Sequence, residues 1–292
     1  MQSDRRKSIL ERCLFSAAET HMPYVDTGDA RLYFETHGNS GPAVVLIMGL
    51  GGTVEAWGMQ IPALSRECRV LVMDNRGTGR TQSHTESWTI NDMAADVLAA
   101  MDAAGIAEAH VVGVSMGGLI AQALYHMAPK RLCSLILGCT GPGVNDPAFA
   151  RPARAVEEIL HIDREAVGHA NAVQRLTEVF YHPTYRERVP DLAERLLRFE
   201  RELDVDPKGP TRQLEAVYSQ PGQGDRLADI GIPVLVLHGE DDIVWPMENG
   251  EYLAEAIPEA RLQLFPETGH MLMLERAREF NRSVLTFIRE QE

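Results

Sequence analysis

The sequence lacks a long apolar run, a cysteine motif and an excess of positive charge, and each absence excludes a class of protein. No stretch approaches the ~18 uninterrupted apolar residues of a membrane-spanning helix. Cys13, Cys68, Cys133 and Cys139 form no Cys-x-x-Cys pair or metal-ligand spacing, so we expect structural thiols in a cytoplasmic protein. A formal net charge of −14 would be repelled by nucleic acid and by anionic membranes. We therefore expect a small-molecule partner, with no role in binding nucleic acid or membranes.

The chain has enough apolar material for one large core, with 292 residues of which 45% are hydrophobic. An α/β fold of this length can form a single domain with an insertion. Residues 1–21 open with a basic cluster, but charged residues interrupt their apolar part, unlike the continuous apolar region of a secretory signal. We interpret these residues as an N-terminal extension and assign them no function.

A strand pattern turns directly into a helix pattern at Gly113-Val114-Ser115-Met116-Gly117. The residues before this turn are apolar and β-branched, as in a buried parallel strand, and apolar residues after it recur at helical spacing. A Gly-x-Ser-x-Gly sequence at such a junction exposes the serine hydroxyl on a sharp turn, beside a helix N-terminus that favours negative charge. Ser115 is therefore the predicted nucleophile, and a glycine-rich turn without chemistry is the alternative.

Strand patterns alternate with helix patterns along most of the chain, which predicts a mostly parallel sheet with helices on both faces. Alternating polar and apolar residues over 24–38 predict an antiparallel hairpin at one edge of this sheet. Amphipathic helical stretches separated by prolines replace the strand pattern over residues 144–228. We predict a core formed by 22–143 and 229–292, with 144–228 as a helical lid over the serine. A separate helical domain is the alternative.

A serine nucleophile needs a base to take its proton, and that base needs an acid to orient it. Two loops that follow later strands supply the candidates. The first contains His238, Asp241 and Asp242, and the second contains His270 after a glycine. The order serine, acid, histidine along the chain is typical of one particular fold. We expect His238 to support the acid loop and His270 to act as the base.

These motifs resemble those of α/β-hydrolase-fold serine hydrolases, and the resemblance covers nearly all of the chain beyond residue 24. The family's acid loop reads Gly-x-x-Asp-x-x-x-Pro, which matches Gly239–Pro246 and places the acid at Asp242, with Asp241 as the alternative. Its histidine loop reads Gly-His-x-x-x-x-Glu and matches Gly269–Glu275. The resemblance implies an eight-stranded, mostly parallel sheet with an inserted lid, and it implies neither a cofactor nor a metal.

The resemblance also implies an oxyanion hole built from two backbone N–H groups. These belong to Met116, directly after the nucleophile, and to Leu50 in the glycine-rich loop 48–52. Met48 stands where the family often has histidine, so the resemblance does not extend to the hydrogen bond with which that histidine braces the loop, whereas it does extend to the backbone donor. A further family match, at 74–81, lacks the lysine and the spacing of a phosphate loop, and we interpret it as a structural turn.

The predicted reaction is acyl transfer to water, in which Ser115 attacks a carbonyl, His270 takes the serine proton and Asp242 orients His270. Resemblance to carboxylesterases and enol-lactonases favours a small or medium ester or lactone as the substrate. One alternative is a carbon–carbon bond hydrolase of the meta-cleavage type, although such enzymes often carry tryptophan where Met271 stands. The other is a receptor that keeps the fold. The sequence carries no indication of the oligomeric state.

Overall fold

The computed structural model describes residues 24–202 and 208–292, and the predicted N-terminal extension lies outside them. A nine-stranded sheet forms the centre of the described residues. Its strands are β1 (Tyr24–Asp26), β2 (Ala30–His37), β3 (Ala43–Ile47), β4 (Arg69–Met73), β5 (Gln82–Ser83), β6 (Ala109–Val114), β7 (Leu132–Gly138), β8 (Val234–Gly239) and β9 (Arg261–Phe265).

Helices follow most of the strands. They are α1 (Ile61–Leu64), α2 (Ile90–Ala103), α3 (Met116–Met127), α4 (Arg154–Leu160), α5 (Arg164–Val167), α6 (His169–Phe180), α7 (Pro183–Arg188), α8 (Leu192–Glu202), α9 (Gly209–Ser219), α10 (Gly224–Leu227), α11 (Glu248–Ala256), α12 (Leu272–Glu275) and α13 (Ala277–Arg289). Short 3-10 turns occur at Val54–Trp57 and Pro129–Arg131.

The strand order across the sheet is β1-β2-β4-β3-β6-β7-β8-β9. The strands from β4 to β9 along this path pair in parallel, and β2 pairs antiparallel with both of its neighbours. The mostly parallel sheet and the edge hairpin at 24–38 are thus confirmed. The predicted count of eight strands is wrong by one, because the two-residue β5 also pairs with β2. Strand β5 consists of two polar residues, Gln82 and Ser83, and so has no apolar pattern from which it could be predicted.

Alternate residues of the central strands face two different helical layers. On β3, Val45 and Ile47 belong to the cluster that contains residues of α2, α3 and α11. Val44 and Leu46, which lie between them, belong to the cluster that contains residues of α1 and α13. All four side chains are fully buried. Helices therefore cover both faces of the sheet, as the alternating pattern predicts.

The helices α4 to α10 all lie between β7 and β8, and no strand interrupts them in the described part of this segment. The helical content expected for 144–228 is therefore present. The division of the chain into a core and a lid stays a prediction. Among the described helices, none combines the length and apolarity that a bilayer crossing requires. Cys68, Cys133 and Cys139 are free thiols, and Cys13 lies outside the described residues.

A buried ion pair joins the turn after β4 to α2. Arg76 Nε donates to Asp96 Oδ2 at 2.5 Å, and Arg76 Nη2 donates to Asp96 Oδ1 at 2.9 Å. The arginine is 5% exposed and the aspartate 2% exposed. Two charges removed from water in this way depend on each other, because either one alone would remain buried without compensation. The pair supports the interpretation of this segment as a structural turn.

We expect Arg76→Met to lower the free energy of unfolding by about 3 to 5 kcal/mol, because it leaves the Asp96 carboxylate buried and unpaired. The double variant Arg76→Met/Asp96→Leu should recover most of this loss, since it removes both charges. Urea denaturation measures the effect. Arg154→Met is a matched control, because Arg154 pairs with Glu158 on an exposed helix face and should contribute little. Equal losses in the two single variants would contradict the prediction.

Candidate active site

Ser115 lies at the junction of β6 and α3, with φ of 56° and ψ of −123°. A positive φ is strained for a residue with a side chain, so the surrounding structure must hold it. A Cβ on Gly113 would clash with the Gly117 backbone, and a Cβ on Gly117 would clash with the Ile47 carbonyl. Thr140 Oγ1 donates to the Ser115 carbonyl at 2.8 Å. The Gly-x-Ser-x-Gly motif is therefore the sequence that this tight turn requires.

The structure brings the three predicted side chains of Ser115, His270 and Asp242 together. His270 Nε2 lies 2.9 Å from Ser115 Oγ, and His270 Nδ1 lies 2.7 Å from Asp242 Oδ2. With the proton on Nδ1, the imidazole donates to the carboxylate and accepts from the hydroxyl. His270 and Asp242 are buried, whereas Ser115 is partly exposed. Of the three residues, the predicted nucleophile is therefore the one that is accessible from solvent.

The acid loop surrounds Asp242 with hydrogen-bond donors. Its Oδ1 accepts from the backbone N–H groups of Val244 and Trp245 at 2.9 and 3.0 Å. His238 Nε2 lies 3.4 Å from Oδ2 and 2.8 Å from the Trp245 carbonyl. Burial by itself would raise the pKa of Asp242, but the neighbouring His270 and His238 hold this pKa well below its usual range. The carboxylate is therefore ionised and faces the imidazole that it would orient.

Asp241, the alternative acid, is exposed to solvent. Its carboxylate lies 3.6 Å from His182 Nε2. Asp242, in contrast, is fully enclosed and contacts His270 directly. The geometry therefore favours Asp242 over Asp241 as the partner of the imidazole.

The two predicted oxyanion donors belong to Met116, which follows Ser115 in the chain, and to Leu50, whose loop passes Ser115. Met116 begins α3, so its N–H has no partner one turn earlier in the helix. In the described part of the chain, neither the Met116 N–H nor the Leu50 N–H donates to a protein acceptor. A Cβ added to Gly49 would lie 3.0 Å from Ser115 Cβ and 3.5 Å from Ser115 Oγ. The loop that carries Leu50 thus runs directly past the hydroxyl.

Two buried amide side chains hold this loop, and sequence analysis missed both. Asn75 Nδ2 donates to the Met48 carbonyl at 2.9 Å. Gln213 Oε1 accepts from the Gly51 N–H at 2.7 Å. Asn75 lies within the family match at 74–81, which is a signal that could have found it. Gln213 lies in a helix of the inserted segment, and its sequence neighbourhood carries no comparable signal.

The histidine loop is also tied to the inserted helices. The N–H groups of Gly269 and His182 both donate to Glu275 Oε2 at 3.2 Å, and the Met271 N–H donates to the Phe180 carbonyl at 3.2 Å. Burial raises the pKa of Glu275 although these backbone donors oppose the shift. The Glu275 carboxylate thus links the histidine loop to His182 at the start of α7, and the backbone bond to Phe180 links it to the end of α6.

One cluster of potential metal ligands stands out among the described residues, formed by Cys139, Asp242 and His270. Burial raises the pKa of the Cys139 thiol well above its ordinary value, which disfavours the thiolate that a metal would require. The carboxylate and the imidazole already bond to each other at 2.7 Å. We therefore interpret Asp242 and His270 as members of the hydrogen-bond chain that includes Ser115, with the neutral Cys139 thiol beside them. We assign no metal to this cluster.

Comparison with known proteins establishes the family. The family model for the alpha/beta hydrolase fold matches residues 42–277. The chain belongs to this family. A putative carbamate hydrolase RutD of Azorhizobium caulinodans is 32% identical and aligns with 92% of this chain and 99% of its own length. A 2-hydroxy-6-oxononadienedioate/2-hydroxy-6-oxononatrienedioate hydrolase of Burkholderia vietnamiensis is 29% identical and aligns with 94% of this chain and 96% of its own length.

Among solved structures, the enol-lactonase from Burkholderia xenovorans LB400 is similar to this alpha/beta hydrolase with a TM-score of 0.78 and 27% sequence identity. The alignment covers 91% of this chain and 100% of the enol-lactonase chain. The names of these relatives refer to different substrates. What they share is hydrolysis, and the family therefore identifies this chain as a hydrolase.

Proposed function

We propose that this alpha/beta hydrolase cleaves a small or medium carboxylic ester or lactone through an acyl-enzyme on Ser115. The observation that carries the proposal is the continuous hydrogen-bond chain from Ser115 through His270 to Asp242, with distances of 2.9 and 2.7 Å. A serine paired with a base in this way is activated to attack a carbonyl carbon. Similarity to an enol-lactonase supports an ester-type substrate.

In the first step, Ser115 Oγ bonds to the carbonyl carbon while His270 Nε2 takes the hydroxyl proton. The ionised Asp242 stabilises the imidazolium that results. The carbonyl oxygen becomes negative and accepts from the Leu50 and Met116 N–H groups, each worth about 3 to 4 kcal/mol of the barrier. His270 then gives its proton to the leaving alcohol. Water attacks the acyl-enzyme by the same route, with His270 again as the base.

A second candidate is hydrolysis of a carbon–carbon bond in a vinylogous diketone, of the meta-cleavage type. Similarity to the Burkholderia vietnamiensis hydrolase over 94% of this chain favours it. In that reaction the leaving group is a carbon, so a proton must be delivered to carbon before the bond breaks. An ester needs no such step, because its alkoxide leaves directly with the proton from His270. We place the ester or lactone first, because Met271 differs from the tryptophan frequent in carbon–carbon hydrolases.

A side-by-side substrate screen tests the proposal. We expect p-nitrophenyl esters of short acyl chains, or simple lactones, to give a higher kcat/KM than dienoic diketones. A fluorophosphonate probe should attach to the Ser115 peptide, as read by mass spectrometry, because it traps an activated serine. Turnover of the diketones alone would favour the second candidate. Absence of both turnover and labelling would overturn the proposal and favour the receptor.

A further inference from the structure

Helix α9 of the inserted segment contacts the loop that runs past Ser115. Gln213 on this helix is fully buried. Its Oε1 accepts from the Gly51 N–H at 2.7 Å, and its Nε2 donates to the Arg76 carbonyl at 2.6 Å. The oxygen and the nitrogen of the amide therefore each have a backbone partner, which fixes the orientation of the side chain. One glutamine links the inserted helices to two loops of the sheet.

The N-terminal end of α9 is seated closely on the same two loops. A Cβ on Gly209 would clash with the Gly77 carbonyl, so the two backbones touch. A Cβ on Gly51 would lie 4.0 Å from Pro210 Cγ. One turn further along, Arg212 forms an ion pair with Glu86. The position of Gln213 is thus set by backbone packing and charge on its own helix.

The loop is braced on both sides of Leu50. Asn75 holds the Met48 carbonyl from the sheet, and Gln213 holds the Gly51 N–H from α9. The Gly51 N–H belongs to the same peptide plane as the Leu50 carbonyl, so its hydrogen bond restricts rotation about the Leu50 Cα–C bond. Met48 cannot supply the side-chain hydrogen bond that the family's frequent histidine could. Gln213 instead provides a side-chain hydrogen bond to this loop from helix α9.

We propose that Gln213 is a positioning residue that holds the Leu50 N–H in place over Ser115, so that the seating of α9 completes the oxyanion hole. This inference rests on the proposed function. Gln213 does not touch the reacting atoms and acts through Gly51. Displacement of α9 would remove the acceptor of the Gly51 N–H and release the loop, and oxyanion stabilisation therefore depends on the inserted helices.

Two substitutions separate the hydrogen bond to Gly51 from packing. Gln213→Met keeps the length of the side chain and removes both hydrogen bonds. Gln213→Glu keeps an acceptor for the Gly51 N–H and loses the amide donor to Arg76. We expect Gln213→Met to lower kcat by about 10- to 100-fold, as for a misplaced catalytic group, with KM changed less than about threefold. Gln213→Glu should recover most of this loss.

A matched control and a second substrate make the test specific to the oxyanion hole. Gln223→Met alters another buried glutamine of the inserted segment, whose side chain bonds only to Pro221 among the described residues, and it should keep the kcat of the parent enzyme. A thionoester places a larger, weaker acceptor at the oxyanion position. The ester-to-thionoester ratio of kcat should fall in Gln213→Met and stay unchanged in Gln223→Met. Thermal unfolding midpoints of all variants report on folding.

The outcomes distinguish this inference from the proposed function. Equal kcat in the parent enzyme and Gln213→Met, or equal impairment of the methionine and glutamate variants, would overturn the role of Gln213 while leaving Ser115 as the nucleophile. An unchanged ester-to-thionoester ratio would do the same. If Gln213→Met fails to fold, Gln213→Leu takes its place, because it also lacks an acceptor for the Gly51 N–H and should show the same fall in the ester-to-thionoester ratio. Retention of activity in Ser115→Ala would instead overturn the proposed function.

Discussion

Ser115→Ala is expected to lower kcat for the best ester by about 10⁴- to 10⁶-fold, because no other group can form the acyl-enzyme once the hydroxyl is removed. KM should change little, since the hydroxyl contributes mainly to the chemical step. Steady-state kinetics on the purified variant measures the effect. Fluorophosphonate labelling should disappear in parallel. A rate within tenfold of the parent enzyme would contradict the assignment of the nucleophile.

Ser134→Ala provides a matched control from within the same sheet. Ser134 Oγ lies 2.8 Å from His110 Nδ1, so this serine also pairs with an imidazole. Both residues are buried and lie near the amino ends of β7 and β6, at the opposite edge of the sheet from Ser115. The variant should keep its catalytic rate. An active variant would show that pairing with histidine alone does not make a serine reactive, whereas a large loss of activity with an intact fold would contradict the assignment of the nucleophile to Ser115.

Asp242→Asn should lower kcat by about 10⁴-fold, the effect expected when the acid of such a triad becomes an amide. The carbonyl oxygen of the new amide can still accept from Val244 and Trp245, so its NH₂ group turns toward His270. That group donates to Nδ1 and leaves the proton on Nε2, where the imidazole can no longer accept from Ser115. Initial rates on the same ester measure the loss.

Asp241→Asn is the control for the acid, because it changes the adjacent residue in the same loop. Asp241 is exposed and lies near His182 instead of His270, so the variant should remain close to the parent enzyme in kcat. The reverse pattern, a loss in Asp241→Asn with an active Asp242→Asn, would transfer the role to Asp241. Circular dichroism of both variants checks that the loop change leaves the fold intact.

The residues that could be predicted share one physical property: their neighbourhood in the chain determines their place in the fold. Ser115, Asp242 and His270 each follow a parallel strand, and parallel strands deliver their carboxyl ends to one edge of a sheet. An apolar strand pattern with a glycine in the loop that follows was therefore enough to predict that these three residues lie close together. The same reasoning predicts the hairpin at 24–38 and the helices on both faces.

Sequence analysis missed contacts between distant parts of the chain, including one made by Glu275, a residue that the histidine-loop match does contain. Gln213 reaches Gly51 across 162 positions, and Glu275 reaches the His182 backbone across 93 positions. Buried amides and carboxylates of this kind have no periodic pattern, since only tertiary packing determines which backbone group they meet. The two-residue β5 was missed for a related reason: only its pairing with β2 defines these residues as a strand.

Glu275 accepts a hydrogen bond from the main-chain N–H of residue 182 and not from its side chain. This affects which substitutions such an enzyme tolerates. Any amino acid except proline presents that peptide N–H, so substitutions at this point leave the anchor of the histidine loop intact as long as the chain keeps its path. The side chain at position 182 can therefore change between homologues while His270 stays in place. One position next to the histidine loop can thus vary in this hydrolase without disturbing the imidazole.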